Sequence, residues 1–332
     1  MEISFLTVLI SVASLIVMAV PGFLLAKFKM LPEKASEALS AVVLYGCQPL
    51  LVFMSFQSYE YSPEIGLNML IVLGLSVAVH FIMIGIAVLA FRKKEEARNK
   101  TMRYASVFAN CGFMGIPFLS MLFSGRPEAG EIMIYASVVI AVFNVLNWTV
   151  GVFFMTGDFK NISLKKVLLN PVLIAVVLGF IMFITLKKPI VDLAEQGTVL
   201  HSVLSKIVAS FDYLADAVTP LSMIVIGIKL AKIKIKQLFL DVGAYVAALF
   251  KLVIMSLVSI LVVAFLPVSP AVKYAVFLLL SMPSATSTAL FALVFGGDAD
   301  FSSVCVLLST LLSVISLPLM FLLMNGVFGV AV

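Results

Sequence analysis

The sequence predicts an all-α polytopic membrane protein with ten transmembrane helices, and three observations carry that fold class. Of 332 residues, 63% are apolar and 12% charged, about half the charged share of an ordinary soluble domain. Mean hydropathy is +1.20. The apolar residues fall in runs of about 20, the length that crosses a bilayer, with nearly all charges in the breaks between them. A soluble fold of this size has too little interior to hide so much apolar surface. Nucleic-acid binders, disordered tails and water-soluble enzymes are therefore poor readings. Lipid covers the outer surface instead.

Taken in order, the apolar runs lie at about 4–26, 35–57, 66–91, 103–123, 131–156, 167–186, 207–231, 240–266, 271–295 and 301–325. The start, MEISFLTVLI, carries Glu2 and no basic residue, so the first run reads as a span and not as a signal peptide. The longest breaks are 92–103 and 187–206, and the second of these is expected to hold a short interfacial helix. Cys47, Cys111 and Cys305 are odd in number and sit inside apolar runs, which argues against a disulfide framework.

The basic residues set orientation. Odd-numbered loops hold 16 of the 22, from Lys27, Lys29 and Lys34 through the run 92–103 to Lys160, Lys165 and Lys166, and then Lys229, Lys232, Lys234 and Lys236. Even-numbered loops hold Arg126, Lys187, Lys188, Lys206 and Lys273. This bias places the odd loops in the cytoplasm and both termini outside, which needs an even number of spans. The formal charge of +5 is thus mainly a topology signal. The expected location is a cytoplasmic membrane.

The chain also repeats itself. Pro49 and Pro220 are 171 residues apart, Pro117 and Pro283 are 166 apart, and the two ionisable residues deep in spans, His80 and Lys251, are 171 apart. One register accounts for all three. Residues 1–156 then form one five-span repeat, 157–166 a cytoplasmic linker and 167–332 a second copy. Five is odd, so the second copy enters the membrane inverted, an arrangement typical of secondary transporters with broken helices at matched positions.

Span four reads Ala109-Asn110-Cys111-Gly112-Phe113-Met114-Gly115-Ile116-Pro117, a poor continuous helix. An irregular joint is expected near 110–116, with Pro117 in the first turn of a new half-helix. In span nine, Pro283 is expected to open a second half-helix, with Ser284, Thr286, Ser287 and Thr288 capping the freed N–H groups. Two such breaks predict a crossing near the bilayer midplane. There half-helix N-termini and the Asn110 amide favour an anion, most simply a carboxylate. Cys111, Gly112 and Asn144 join that predicted site. Lys251 and His80 are expected to give it electrostatic or hydrogen-bonded support, although a lysine so placed also pairs with backbone carbonyls or an acid. Asp212 and Asp216, four residues apart and on one helix face, are candidates for a coupling proton or sodium ion. Neither metal-ligand spacing nor a nucleophile motif occurs, so no cofactor and no enzymatic activity are expected.

At these residues the sequence resembles the auxin efflux carrier family of plant auxin exporters and microbial organic-acid carriers. The matching pieces are QPLLVF, NCGFMGIP, FNVLNW, NPVLIAVVLG, TPLSMIVIG, MPSATS and STLLSVISLP, in that order over nearly the whole chain. The resemblance implies a scaffold of spans one, two, six and seven that dimerises, and a mobile unit of spans three to five and eight to ten. It also implies an elevator-type movement and an organic anion, malate-like or auxin-like, bound at the crossover. Asn110 falls on the family's carboxylate-contacting asparagine and Lys251 on its basic residue in helix eight. Ser256 stands where the family commonly has proline, so the sequence leaves open whether helix eight is kinked. The short loop 157–166 looks microbial. The sequence thus predicts a secondary carrier of a small organic anion, which binds no nucleic acid. A channel-like uniporter is the alternative transport reading, although charged rings are missing. A ligand-binding membrane sensor is the alternative from another class, and it has only short loops with which to signal.

Overall fold

The computed structural model describes residues 3–93, 96–232, 238 and 240–328. Lys94, Lys234 and Lys236, which the orientation argument uses, lie outside the described residues, as do 329–332 of the second half. Among the described residues the protein is helical without strands, and eight helical stretches are long and apolar enough to cross a membrane.

The first helices are α1 (Phe5–Lys27), α2 (Ala35–Ser55) and α3 (Pro63–Ala90). The expected fourth run is divided into α4 (Ala97–Val107) and α5 (Cys111–Leu122). Then follow α6 (Ala129–Thr156), α7 (Pro171–Leu186), α8 (Val199–Asp216), α9 (Val218–Ala231) and α10 (Val242–Ala264). The expected ninth run is divided into α11 (Pro270–Leu280) and α12 (Ser287–Phe295), and α13 (Ala299–Phe328) closes the fold. Starts follow local chemistry. Ser62, Asn170 and Ser269 accept first-turn amides through their side chains, each just before a proline that needs no acceptor of its own.

Four turns are π-helical: Val42–Cys47, Cys111–Gly115, Asn147–Gly151 and Phe250–Ile254. Two of them directly precede a proline, Pro49 or Pro117. A proline ring clashes with the carbonyl four residues back, and the wider turn relieves that clash. The turn at 250–254 contains Lys251, so α10 carries a local distortion although Ser256 replaces the expected proline. The Ser256 hydroxyl donates to the Leu252 carbonyl at 2.7 Å.

Three sequence expectations change in detail. The break 187–206 holds a short 3-10 turn, Ile190–Leu193, and the first turns of α8, so helix begins near 199 and not at 207. Thr198 starts it early by accepting the His201 amide. Non-helical backbone in the fourth run covers only 108–110, and the rest of the expected joint is the π turn. Pro283 does not open a helix. It lies in the irregular stretch 281–286, and helix resumes at Ser287.

Helices α1 and α9 meet at backbone distance. A Cβ on Gly22 would collide with the Ile224 carbonyl, and one on Gly227 with the Ala19 carbonyl. Small residues allow such approach where apolar lipid gives helices no hydrophobic reason to associate. Elsewhere, large apolar side chains such as Val17, Leu70, Phe81 and Val177 stand exposed on helix faces, as a lipid-covered surface requires. The buried centre is built by α4, α5, α6 and α11, with Tyr104, Phe108, Phe118, Tyr135 and Phe277 fully enclosed.

Candidate functional site

The two interruptions meet. Ala109 and Ser284 form an isolated antiparallel bridge. The Asn110 N–H donates to the Pro283 carbonyl at 2.7 Å, and the Ala285 N–H donates to the Phe108 carbonyl at 2.9 Å. Backbone released from helix on both sides is thus satisfied across the join, which an apolar interior demands. The Asn110 carbonyl accepts from Met114 and Gly115 at 3.2 and 3.0 Å and closes the π turn. Its side-chain nitrogen Nδ2 is buried without a partner.

Beside this join is a cavity of about 880 Å³. Its inner wall includes Asn110, Cys111 and Gly112 at the start of α5, and Thr286 and Ser287 at the start of α12. First-turn amides of a helix have no acceptor within the helix, so two positive helix ends open on one space. Phe113, Phe143, Trp148 and Phe291 give it an apolar body. Lys165, Lys166 and Lys229 also line it, and the Lys166 ammonium lies 5.6 Å from the centre of the Trp148 ring.

A hydrogen-bonded group braces the wall. The Tyr104 hydroxyl donates to Asn147 Oδ1 and lies 2.9 Å from the Ser287 hydroxyl, joining α4, the π turn of α6 and α12. Asn170 donates from Nδ2 to Asn144 Oδ1 at 3.1 Å, while its own Oδ1 caps α7. Among the described residues no group of three or more His, Cys, Asp or Glu side chains is placed to hold a metal ion.

A family model described as membrane transport protein matches residues 7–162 and 155–321. The chain belongs to this auxin efflux carrier-like family. Two archaeal relatives, each described only as an uncharacterised transporter, match over nearly their whole length. The protein of Methanothermobacter thermautotrophicus is 26% identical over 313 residues, 93% of this chain and 96% of its own. That of Methanocaldococcus jannaschii is 24% identical over 311 residues, 92% of this chain and 94% of its own. The chain is therefore a multi-pass membrane transporter of that family.

Within this family member, six of the sequence-predicted site residues line the cavity: Asn110, Cys111, Gly112, Asn144, Thr286 and Ser287. Pro117, Pro283 and Ser284 do not. The Ser284 and Thr288 hydroxyls of the second break act differently from expectation, because they donate to carbonyls and cap no helix amide. Ser284 Oγ donates to the Ala105 carbonyl at 2.8 Å and Thr288 Oγ1 to the Ala285 carbonyl at 2.6 Å, and α12 has no side-chain cap. The Cys111 thiol likewise points to the Leu279 carbonyl at 3.4 Å.

Lys251 is fully buried behind the wall and does not line the cavity. Its ammonium donates to the Leu280 carbonyl at 2.7 Å. That carbonyl ends α11, and the Ser284 amide that would meet it in a continuous helix goes to the Ser309 hydroxyl instead. A cation at a helix C-terminus is well placed against the dipole, so Lys251 completes the second interruption. His80 is also fully buried and outside the cavity. Its Nδ1 is 2.7 Å from the Ser76 carbonyl, and its Nε2 has no partner. Asp212 and Asp216 are exposed on α8, away from the cavity.

Sequence reasoning did not single out Gln48 or Asn170, both of which line the cavity, whereas Asn147 in span five, readable as lining a polar path or tying helices together, lines it and also bonds Tyr104. Gln48 is 2% exposed and its Oε1 is buried without a partner. A buried polar group left unpaired costs about 1–3 kcal/mol. The only local signal was the polar residue itself inside the apolar stretch QPLLVF.

Proposed function

We propose that the protein is a secondary carrier that moves a small organic anion across the cytoplasmic membrane. In this reading the eight long stretches, α8 and α9 together making one (Val199–Ala231), and the two divided runs make ten spans, arranged as inverted repeats over 1–156 and 167–332 with the linker 157–166 between them. The observation that carries it is the join of the two interruptions at the wall of the cavity. Two helix N-termini and the unpaired Asn110 Nδ2 supply donors there, an arrangement that suits an anionic oxygen, and the carboxylate in the lining, Glu37, stands close enough to Lys229 for their charges to interact. The broad apolar lining suits the carbon body of an organic acid.

Lys165, Lys166 and Lys229, which line the cavity together with Glu37, lie in or beside the connections that the basic-residue bias places in the cytoplasm. That supports an inward-open cavity with a positive mouth, which raises the local concentration of anions. The closely packed pair α1 and α9 supports the scaffold role that the family resemblance implies. The join then moves past that scaffold with its cargo in elevator fashion. Exposed apolar faces on the scaffold helices α7 and α8 are the surfaces for a homodimer. Proton or sodium coupling is left to groups other than the exposed Asp212 and Asp216.

The test is a thermal-shift screen of mono- and dicarboxylates on purified protein, with and without sodium and at two pH values, followed by counterflow in proteoliposomes. A ligand at 100 times its Kd adds about 2.7 kcal/mol to the folded state. Stabilisation by at least one carboxylate together with its counterflow is the expected result. The absence of both overturns the proposal.

A further inference from the structure

We infer that Gln48 is a specificity-determining residue, whose side-chain carbonyl receives a hydrogen-bond donor that the substrate carries beside its carboxylate. The inference rests on the organic-anion reading above and names a class within it: carboxylates bearing an O–H or N–H group, taken in preference to analogues that lack it.

Gln48 reaches the cavity from α2, whereas the anion donors come from α5 and α12. The bare backbone of Gly112 admits it. A Cβ there would stand 3.2 Å from Gln48 Oε1 and closer still to Nε2. The amide therefore lies directly over the first turn of α5, next to the amides that would hold a carboxylate. Its Oε1 finds no donor in the protein although the side chain is 2% exposed.

The chemistry of the neighbourhood gives this orphan its meaning. Asn110 Nδ2 and the helix N-termini are donors, which an anion satisfies. Gln48 Oε1 is an acceptor only. Beside a carboxylate it faces another electron-rich oxygen, which repels it. A ligand settles both needs at once only if it brings a proton donor next to its anionic group. Turning the amide about its last torsion, which is broad, presents Nε2 to the carboxylate but leaves the carbonyl stranded. A site with a buried polar group that only one of two analogues can pair discriminates strongly between them.

Affinities of the purified full-length protein for malate against succinate, and for lactate against propionate, test this by calorimetry. In wild type the hydroxylated member of each pair binds at least about tenfold more tightly. Gln48→Met is expected to lose about tenfold for malate and lactate, while succinate and propionate stay within about twofold. Should that variant not fold, Gln48→Glu retains the shape and an acceptor but adds a negative charge. It is expected to weaken the two plain acids more than the two hydroxy acids and so to widen the preference. Equal loss for all four acids in Gln48→Met, or an unchanged or narrowed preference in Gln48→Glu, overturns the inference, as does binding by wild type without preference. Each of those results leaves the organic-anion reading standing. Failure of all four to bind wild type, with no other carboxylate active in the thermal-shift screen, overturns that reading and this inference together.

Discussion

The two interruptions solve the same problem in different ways. At 108–115 the chain leaves helix for three residues, re-enters through a π turn and pairs the Asn110, Cys111, Met114 and Gly115 amides, yet it leaves the Asn110 Nδ2 unpaired beside the cavity. At 281–286 six residues are irregular, and side chains of two other helices, with a backbone carbonyl of a third, absorb the released groups. Lys251 meets the Leu280 carbonyl, Ser309 accepts the Ser284 amide, and Ser284 donates to the Ala105 carbonyl. The first break leaves the Asn110 side-chain nitrogen unpaired at the cavity, and the second leaves the Ser281 hydroxyl unpaired away from the cavity lining. In the proposed reading the free Asn110 side-chain amide of the first break meets the substrate, while Lys251, Ser309 and Ser284 at the second hold the fold together, although both breaks look alike as clusters of proline and small polar residues in an apolar run.

Substitutions can break that contrast. The largest effect is expected at Lys251, which closes the second break. Lys251→Met removes a hydrogen bond from a charged donor and strands a buried carbonyl, so unfolding in detergent should become easier by about 1.5–3 kcal/mol. Full stability together with lost transport would move Lys251 to the recognition side. Next comes Asn110→Ala. It is expected to weaken carboxylate binding about tenfold, one hydrogen bond's worth, with an unchanged melting temperature because nothing in the protein uses that nitrogen. Ser284→Ala is the mirror case, with about 1 kcal/mol of stability lost and ligand affinity within about twofold. A carboxylate affinity that falls with Ser284 and holds with Asn110 would invert the comparison. The smallest effect is expected for Pro283→Ala, below about 1 kcal/mol by denaturation, since its carbonyl and not its nitrogen makes the contact with Asn110.

Much of this was legible in the sequence because the bilayer imposes one dominant pattern. Apolar runs and confined charges mark the helices, and glycine, asparagine and proline together mark the breaks, since no continuous helix tolerates them comfortably. Other features depended on partners far along the chain. Helix resumes at Ser287 and not at Pro283 because Ala109 holds Ser284 in an extended pairing, and nothing within span nine encodes that. Gln48 is unremarkable until Gly112, 64 residues later, lies against it. Lys251 was visible as a buried cation with two readings. The position of the Leu280 carbonyl, which favours the backbone-pairing one, is a tertiary fact.

The contact of Gly22 and Gly227 with opposing backbone has a mechanical consequence. Two helices whose main chains touch cannot rotate or slide by a residue without driving a side chain into a carbonyl. α1 and α9 are therefore locked in register like meshed gear teeth, and any motion that carries the cavity across the bilayer has to spare this pair. A larger residue at either glycine would do more than loosen the packing, because it would force two backbones apart along the length of both helices.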